Sequence, residues 1–119
     1  MSETSKDLIE DTYDLIESIR ELRQALLEYQ KGCERLVKAG ELGRRASSTV
    51  EQVELVHFAE KRERVAVTLA DFEAARRKAR VGLIAVAEEE GSNLSDVART
   101  LGVSRQLLSR LNVESRKAD

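Results

Sequence analysis

The side chains best suited to binding chemistry are clustered near the C-terminus, on one predicted helix. An arginine can form paired hydrogen bonds with guanine, a glutamine can do the same with adenine, and serine hydroxyls suit contacts with phosphate. Polar residues also cover the outer face of any amphipathic helix, so these residues alone do not indicate a binding site. The turn that precedes them is the stronger indication. The five residues are Ser104, Arg105, Gln106, Ser109 and Arg110.

Side chains that could support catalysis or hold a metal are scarce. His57 is the only histidine and Cys33 the only cysteine, and neither has a companion at the spacing of a metal site or a nucleophile–base pair. The sequence also lacks a glycine-rich nucleotide loop. The acidic run 88–90 is explained more simply by solvation at a helix end. We therefore expect no enzymatic activity, no metal and no cofactor, with Cys33 acting as a small buried hydrophobic residue.

The segment 93–111 predicts two short helices joined by a tight turn. The first helix is predicted to run from Ser95 to Leu101. Ser95 can act as its N-cap, because a serine hydroxyl accepts from the N–H groups of the first turn. Asp96 adds a negative charge near the positive end of the helix dipole.

The turn and the second helix are indicated by Gly102 and Ser104. Gly102 stands where a helix can end in a left-handed residue, and Ser104 can cap a second helix from Arg105 to about Leu111. Ala98 is small enough for two helices to approach closely after a short turn. The predicted inner face consists of Leu94, Val97, Ala98, Leu101, Val103, Leu107 or Leu108, and Leu111.

The segment DVARTLGVSRQLLSRL resembles the helix-turn-helix of resolvase-type recombinase tails and Fis-type regulators, within the homeodomain-like group. The resemblance covers about a fifth of the chain. It departs at Ser109, where resolvases commonly have an aromatic residue, and one extra residue precedes Leu94 compared with Fis-type loops. These departures leave the subfamily open. The residues that carry the resemblance are Ala98, Gly102, Val103, Ser104, Arg105 and Leu108.

The resemblance implies that the second helix enters the major groove of duplex DNA, with its first turns facing the base edges. It does not imply recombinase chemistry, since nothing in this chain could serve as the catalytic domain. A helical hairpin that only packs is the alternative interpretation of the same residues.

A longer helix is predicted to support this pair. Thr68 with Asp71 forms a capping box at its start, and Gly91 ends it. Together the three helices would form a DNA-binding unit over residues 68–113, followed by a polar tail at 114–119. The predicted apolar face of this helix consists of Leu69, Phe72, Ala75, Ala79, Leu83, Val86 and Ala87.

Apolar residues spaced alternately by three and four predict one long helix near the N-terminus, within residues 1–40. A helix of about 34 residues is about 50 Å long, which a chain of this size can hardly cover. We therefore expect a homodimerisation helix; the alternative is a bundle helix folded back on its own chain. Gly32 inside it marks either close packing or a fray point. The predicted dimerisation residues are Leu8, Leu15, Ile19, Leu22, Leu26, Tyr29 and Leu36.

Residues 41–67 give a mixed pattern. The segment 39–48, AGELGRRASS, indicates a boundary. Thr49 with Gln52 could cap a short helix that continues to about Arg62. The β-branched residues of 53–68 predict a short hairpin as the alternative.

Composition favours an all-α fold, because charged residues make up 35% of the chain, proline is absent and aromatic residues are few. The net charge of −2 argues mildly against nucleic-acid binding, but acid is concentrated before residue 18 and base later. The run Arg76–Arg80 could contact phosphates, although a charge run is more often only solvated. Further phosphate contacts are expected from Arg99, Arg116 and Lys117.

These observations predict a dimeric, sequence-specific DNA-binding protein, most simply a transcriptional repressor of bacterial, plasmid or phage type that reads a palindromic site. The alternative is a coiled-coil assembly or adaptor protein, in which the helix-turn-helix serves protein contacts or non-specific DNA tethering. We expect neither a signal peptide nor a membrane span, and a cytoplasmic protein that is nucleoid-associated when bound to DNA.

Overall fold

The computed structural model describes residues 2–41, 51, 53, 57–104, 106–107 and 109–110. Regular secondary structure in this part of the chain is helical, which confirms the all-α prediction. Three helices have defined bounds: α1 at Glu3–Glu41, α2 at Phe58–Glu89 and α3 at Leu94–Leu101. Residues 106–107 and 109–110 are also helical.

The chain forms two compact units. The terminal unit comprises Met1–Ile16 and Glu73–Asp119, and the central unit comprises Glu17–Phe72. Helices α1 and α2 each contribute residues to both units.

In the central unit, α1 and α2 pack side by side in opposite directions. Glu28 approaches Arg64 to 3.6 Å, whereas Gly32, one turn later on α1, lies beside Lys61, one turn earlier on α2. The ring of Tyr29 contacts that of Phe58 at a centroid distance of 4.9 Å. The buried positions of α1 are small residues repeated every seven, Ser18, Ala25 and Gly32. Gly32 therefore marks close packing inside an unbroken helix.

Some of the α1 residues that were predicted to contact a second chain take part in this packing. Tyr29 in the central unit lies against α2 of the same chain, as does Leu8 against Gly82 in the terminal unit. These two contacts are the kind expected of the alternative, a helix packed on its own chain. Helix α2, which is 32 residues long, packs against part of α1, while Ile19 and Leu26 of α1 remain exposed.

In the terminal unit, α2 packs on two sides. One side faces the start of α1, where Lys78 Nζ lies 3.4 Å from Asp11 Oδ1 and Gly82 meets Leu8. The other side carries Ile84, which is fully buried in a cluster with Ala98 of α3.

The expected start of α2 at Thr68 is wrong. Thr68 lies in the interior of the helix and is buried, and its hydroxyl donates to the carbonyl of Arg64 at 2.8 Å instead of accepting from the following turn. The chain from 58 to 81 contains neither glycine nor proline, so nothing local interrupts the helix once α1 packs along it.

The hairpin alternative for 53–68 is wrong over residues 58–68, which are helical. The expected short helix through Arg62 is also interrupted, because His57 has a positive φ of 53° immediately before α2 begins. Thr49 and Gln52, the pair expected to cap that helix, lie outside the described residues. The boundary was expected at 39–48; residues 42–48 also lie outside the described residues, and α1 itself continues past Gly40 to Glu41.

Within the described residues, no helix combines the length and the apolar character needed to cross a membrane.

Candidate nucleic-acid interface

Helix α3 begins one residue earlier than expected, and its N-cap is Asn93 rather than Ser95. Asn93 has extended backbone angles, φ −87° and ψ 153°, and its side chain accepts from the N–H of Asp96 at 2.9 Å. Ser95 is instead an exposed residue of the first turn. Asparagine and serine are about equally good N-caps, so the residue types alone did not separate the two. Asp96 lies in the first turn, as expected.

The end of α3 confirms the role predicted for Gly102. Its φ of 69° and ψ of 29° are left-handed, a conformation that glycine adopts without steric cost. The chain then closes back on the helix, since the N–H of Val103 donates to the carbonyl of Ala98 at 3.1 Å. The end of α2 is built similarly at Gly91, with a φ of 80°, so the prediction that Gly91 ends this helix is also confirmed.

The second short helix begins where it was expected. The hydroxyl of Ser104 accepts from the N–H of Leu107 at 3.1 Å, which is the hydrogen bond of an N-cap. Helical residues at 106–107 and 109–110 follow. The local order is therefore a helix, a left-handed glycine, a serine cap and a second helical segment.

A compact apolar cluster holds these segments on α2. Ala98 is 5% exposed and packs with Ile84, which is 0% exposed. The small side chain at 98 is buried against α2, whereas the sequence had predicted it to lie where the two short helices approach each other. The partly buried residues around the two are Val81, Leu94, Val97, Leu101, Val103 and Leu107, so Leu107 takes the inner position that the sequence left open between 107 and 108.

Sequence reasoning missed Ile84. Phe72, Ala79, Leu83 and Val86 of the predicted apolar face of α2 are half-buried, but Leu69 is exposed and the fully buried residue lies elsewhere. The signal was available: Val81 and Ile84, three residues apart, form a second apolar stripe on the same helix. A helix with two apolar stripes is expected to pack on two sides.

The polar residues expected to read DNA lie on the outside of this arrangement. Ser104, Gln106, Ser109 and Arg110 are exposed. Arg99 is exposed on α3 and its guanidinium donates to Asp96 at 2.9 Å. The remaining expected contacts, Arg105, Arg116 and Lys117, lie outside the described residues.

A cleft bordered by arginines lies beside the second helical segment. It has a volume of about 390 Å³ and is lined by Glu73, Ala74, Arg76, Arg77, Arg80 and Leu107. Arg76 forms a 2.7 Å ion pair with Glu73. Lys78, from the same basic run, is separate from this cleft because it pairs with Asp11 of α1. The structure therefore divides this basic run between two sides of the helix.

The residues considered for catalysis or metal binding are not brought together. The exposed His57 ring lies 3.9 Å from a carboxylate oxygen of Glu60, and Cys33 is half-buried on α1. In the part of the chain that the structure describes, no three histidine, cysteine or acidic side chains are grouped as metal ligands would be.

The chain was compared with protein-family models, with curated proteins and with solved structures, and none of them matches it.

Proposed function

We propose that the protein is a dimeric, sequence-specific DNA-binding protein that acts as a transcriptional regulator, most simply a repressor in a bacterium, plasmid or phage. The observation that carries the proposal is the geometry around Gly102. An N-capped helix ends in a left-handed glycine, a serine cap starts a second helical segment, and Ala98 seats the pair on Ile84. These features support our proposal of a helix-turn-helix carried on a third helix.

In this proposal the second helical segment lies in the major groove. Arg105, Gln106 and Arg110 contact base edges, where arginine prefers guanine and glutamine prefers adenine. Ser104 and Ser109 suit phosphate or mixed contacts, and the backbone contacts of Arg99, Arg116 and Lys117 position the protein on the duplex. The exposure of Gln106, Ser109 and Arg110 supports these roles.

Dimerisation is proposed through the outward side of α1. Leu8, Leu15, Leu22, Tyr29 and Leu36 are half-buried, whereas Ile19 and Leu26 are exposed. Leu26 is 48% exposed, and Leu27 beside it is also exposed. Because Ile19 and Leu26 are seven residues apart, they share one face of the helix, which suits a second helix packed alongside. A two-fold dimer would present two recognition helices to a palindromic site.

An assembly or adaptor protein is the second candidate function. It is favoured by the same exposed apolar residues of α1 and by the acidic net charge of −2. In that case α1 is the functional surface and the C-terminal helices serve protein contacts or non-specific DNA tethering.

The experiment that tests the proposal is selection of bound sequences from random duplex DNA by the purified protein at two salt concentrations. Recovery of an inverted repeat supports the dimeric regulator. Binding that yields no preferred sequence and collapses at the higher salt indicates tethering. If no DNA is bound at either salt, the regulator is ruled out and the adaptor remains.

A further inference from the structure

We propose that Arg77 and Arg80 of α2 bind phosphates of the DNA backbone beside the groove entered by the second helical segment. This inference rests on the proposed function and extends the DNA contact surface to α2, outside the helix-turn-helix itself. Its ligand is the phosphodiester backbone, without regard to base sequence.

The first argument is the position of these arginines on α2. Arg77 precedes the buried Ile84 by seven residues, about two helical turns, and Arg80 precedes it by four, about one turn. Residues with these spacings share a helix face. The face of α2 on which Ile84 packs against Ala98 therefore also carries these two arginines, nearer the start of the helix.

Leu107 connects these arginines to the second helical segment. It packs against the Ile84–Ala98 cluster and also lines the cleft formed with Arg77 and Arg80. Its N–H is held by Ser104, the cap of that segment. The arginines therefore lie beside Leu107, which follows Gln106 in the chain, so a duplex contacted by Gln106 would bring its backbone towards α2.

Both basic and acidic side chains border the cleft. Among the described residues, Glu73 is the acidic one that lines it, and its carboxylate pairs with Arg76 at 2.7 Å. The acidic Asp11 is engaged by Lys78 on the side of α2 that faces α1. The guanidinium-bearing residues Arg77 and Arg80 line the same cleft.

Guanidinium groups suit this role because they remain charged and can donate two parallel hydrogen bonds to one phosphate. Phosphate contacts fix the register of a protein on DNA without reading its sequence. Each phosphate neutralised releases counterions and contributes about 0.9 to the slope of log affinity against log salt.

The test compares Arg77→Gln/Arg80→Gln with the wild type, with Arg77→Lys/Arg80→Lys and with the control Arg62→Gln. Arg62 is an exposed arginine of the same helix in the central unit. Dissociation constants for the selected duplex are measured from 50 to 200 mM salt, and circular dichroism melting confirms that each variant is folded.

We expect the glutamine variant to reduce the salt slope by about 1.8, so that its affinity falls about tenfold less across this range than that of the wild type. The lysine variant and the Arg62 control keep the slope, and all variants select the same sequence. A folded glutamine variant with an unchanged slope overturns the inference while wild-type DNA binding stands. A changed sequence preference also overturns it, since phosphate contacts carry none. If the wild type binds no DNA, the proposed function has failed and the inference fails with it.

Discussion

Single residues decide how the two ends of α3 are built, and the N-cap is the position at which the local chemistry can be tested most directly. Asn93 accepts a hydrogen bond from the first turn, whereas Ser95 stands exposed inside that turn. An N-cap side chain satisfies an N–H group that has no partner within the helix, so its removal weakens the helix start.

We predict that Asn93→Ala lowers the free energy of unfolding by about 0.5–2 kcal/mol. Ser95→Ala is the matched control and should change it by less than about 0.5 kcal/mol. Urea denaturation followed by circular dichroism measures both. Equal losses in the two variants would contradict the assignment of Asn93 as the cap.

A second prediction at this scale concerns base recognition by Arg105. Under the regulator proposal, Arg105→Ala should weaken specific DNA binding by about 1–3 kcal/mol, because a paired contact to a base is lost. The control Arg62→Ala removes the same charge far from the recognition segment in sequence and should leave binding unchanged. Fluorescence anisotropy with the selected duplex gives both values. A protein that acts as an adaptor would retain its protein partner with either substitution.

At the scale of helices, two glycines are expected to respond in opposite directions to replacement by alanine. Gly102 has a left-handed φ of 69°, whereas Gly40 lies within α1 and a Cβ there would meet nothing within 4 Å. We predict that Gly102→Ala destabilises the protein by about 1–2 kcal/mol, because alanine is strained in that conformation. Gly40→Ala should be stabilising by up to about 1 kcal/mol, since alanine is the better helix former. Thermal melting of the two variants should show shifts of opposite sign.

The seating of α3 on α2 depends on Ile84. Truncation of this fully buried side chain leaves a cavity, so Ile84→Ala should cost about 2–5 kcal/mol of stability. Leu69→Ala on the same helix is the control, because Leu69 is 45% exposed and its truncation should cost far less. If chemical denaturation gave similar losses for both, the cluster around Ile84 would not be the core described above.

The same elements show what the sequence could predict and where it could not. The helical character of the chain, the left-handed Gly102 and the Ser104 cap depend on interactions within a few residues, and local patterns were sufficient for them. The start of α2 was missed because Thr68 acts as a cap only if the helix begins there. Packing against α1 instead makes it a buried interior residue. The heptad pattern of α1 predicted a helical neighbour but carried no information on whether that neighbour belongs to the same chain.

For the whole molecule, the main prediction is the oligomeric state. Size-exclusion chromatography with light scattering should give the wild type twice the chain mass of 13.3 kDa. Ile19→Glu/Leu26→Glu should give a folded monomer, since both side chains are exposed on α1 and charge there opposes association. Val67→Glu, at an exposed position of α2, is the control and should remain dimeric.

A wild type that elutes at the mass of one chain would contradict this prediction. Recognition of a palindromic DNA site by two symmetry-related helices would then be excluded for the free protein, because a monomer presents one recognition helix.

The terminal unit is built from two segments that are far apart in the sequence, which affects the order in which the two units can fold during synthesis. Residues 1–16 leave the ribosome well before the segment they pack against, which begins only at Glu73. The central unit contains both of its helical segments by residue 72 and can close while translation continues. The emerging chain would therefore acquire its helical pair first, and its candidate DNA-binding surface only after α3 has been made.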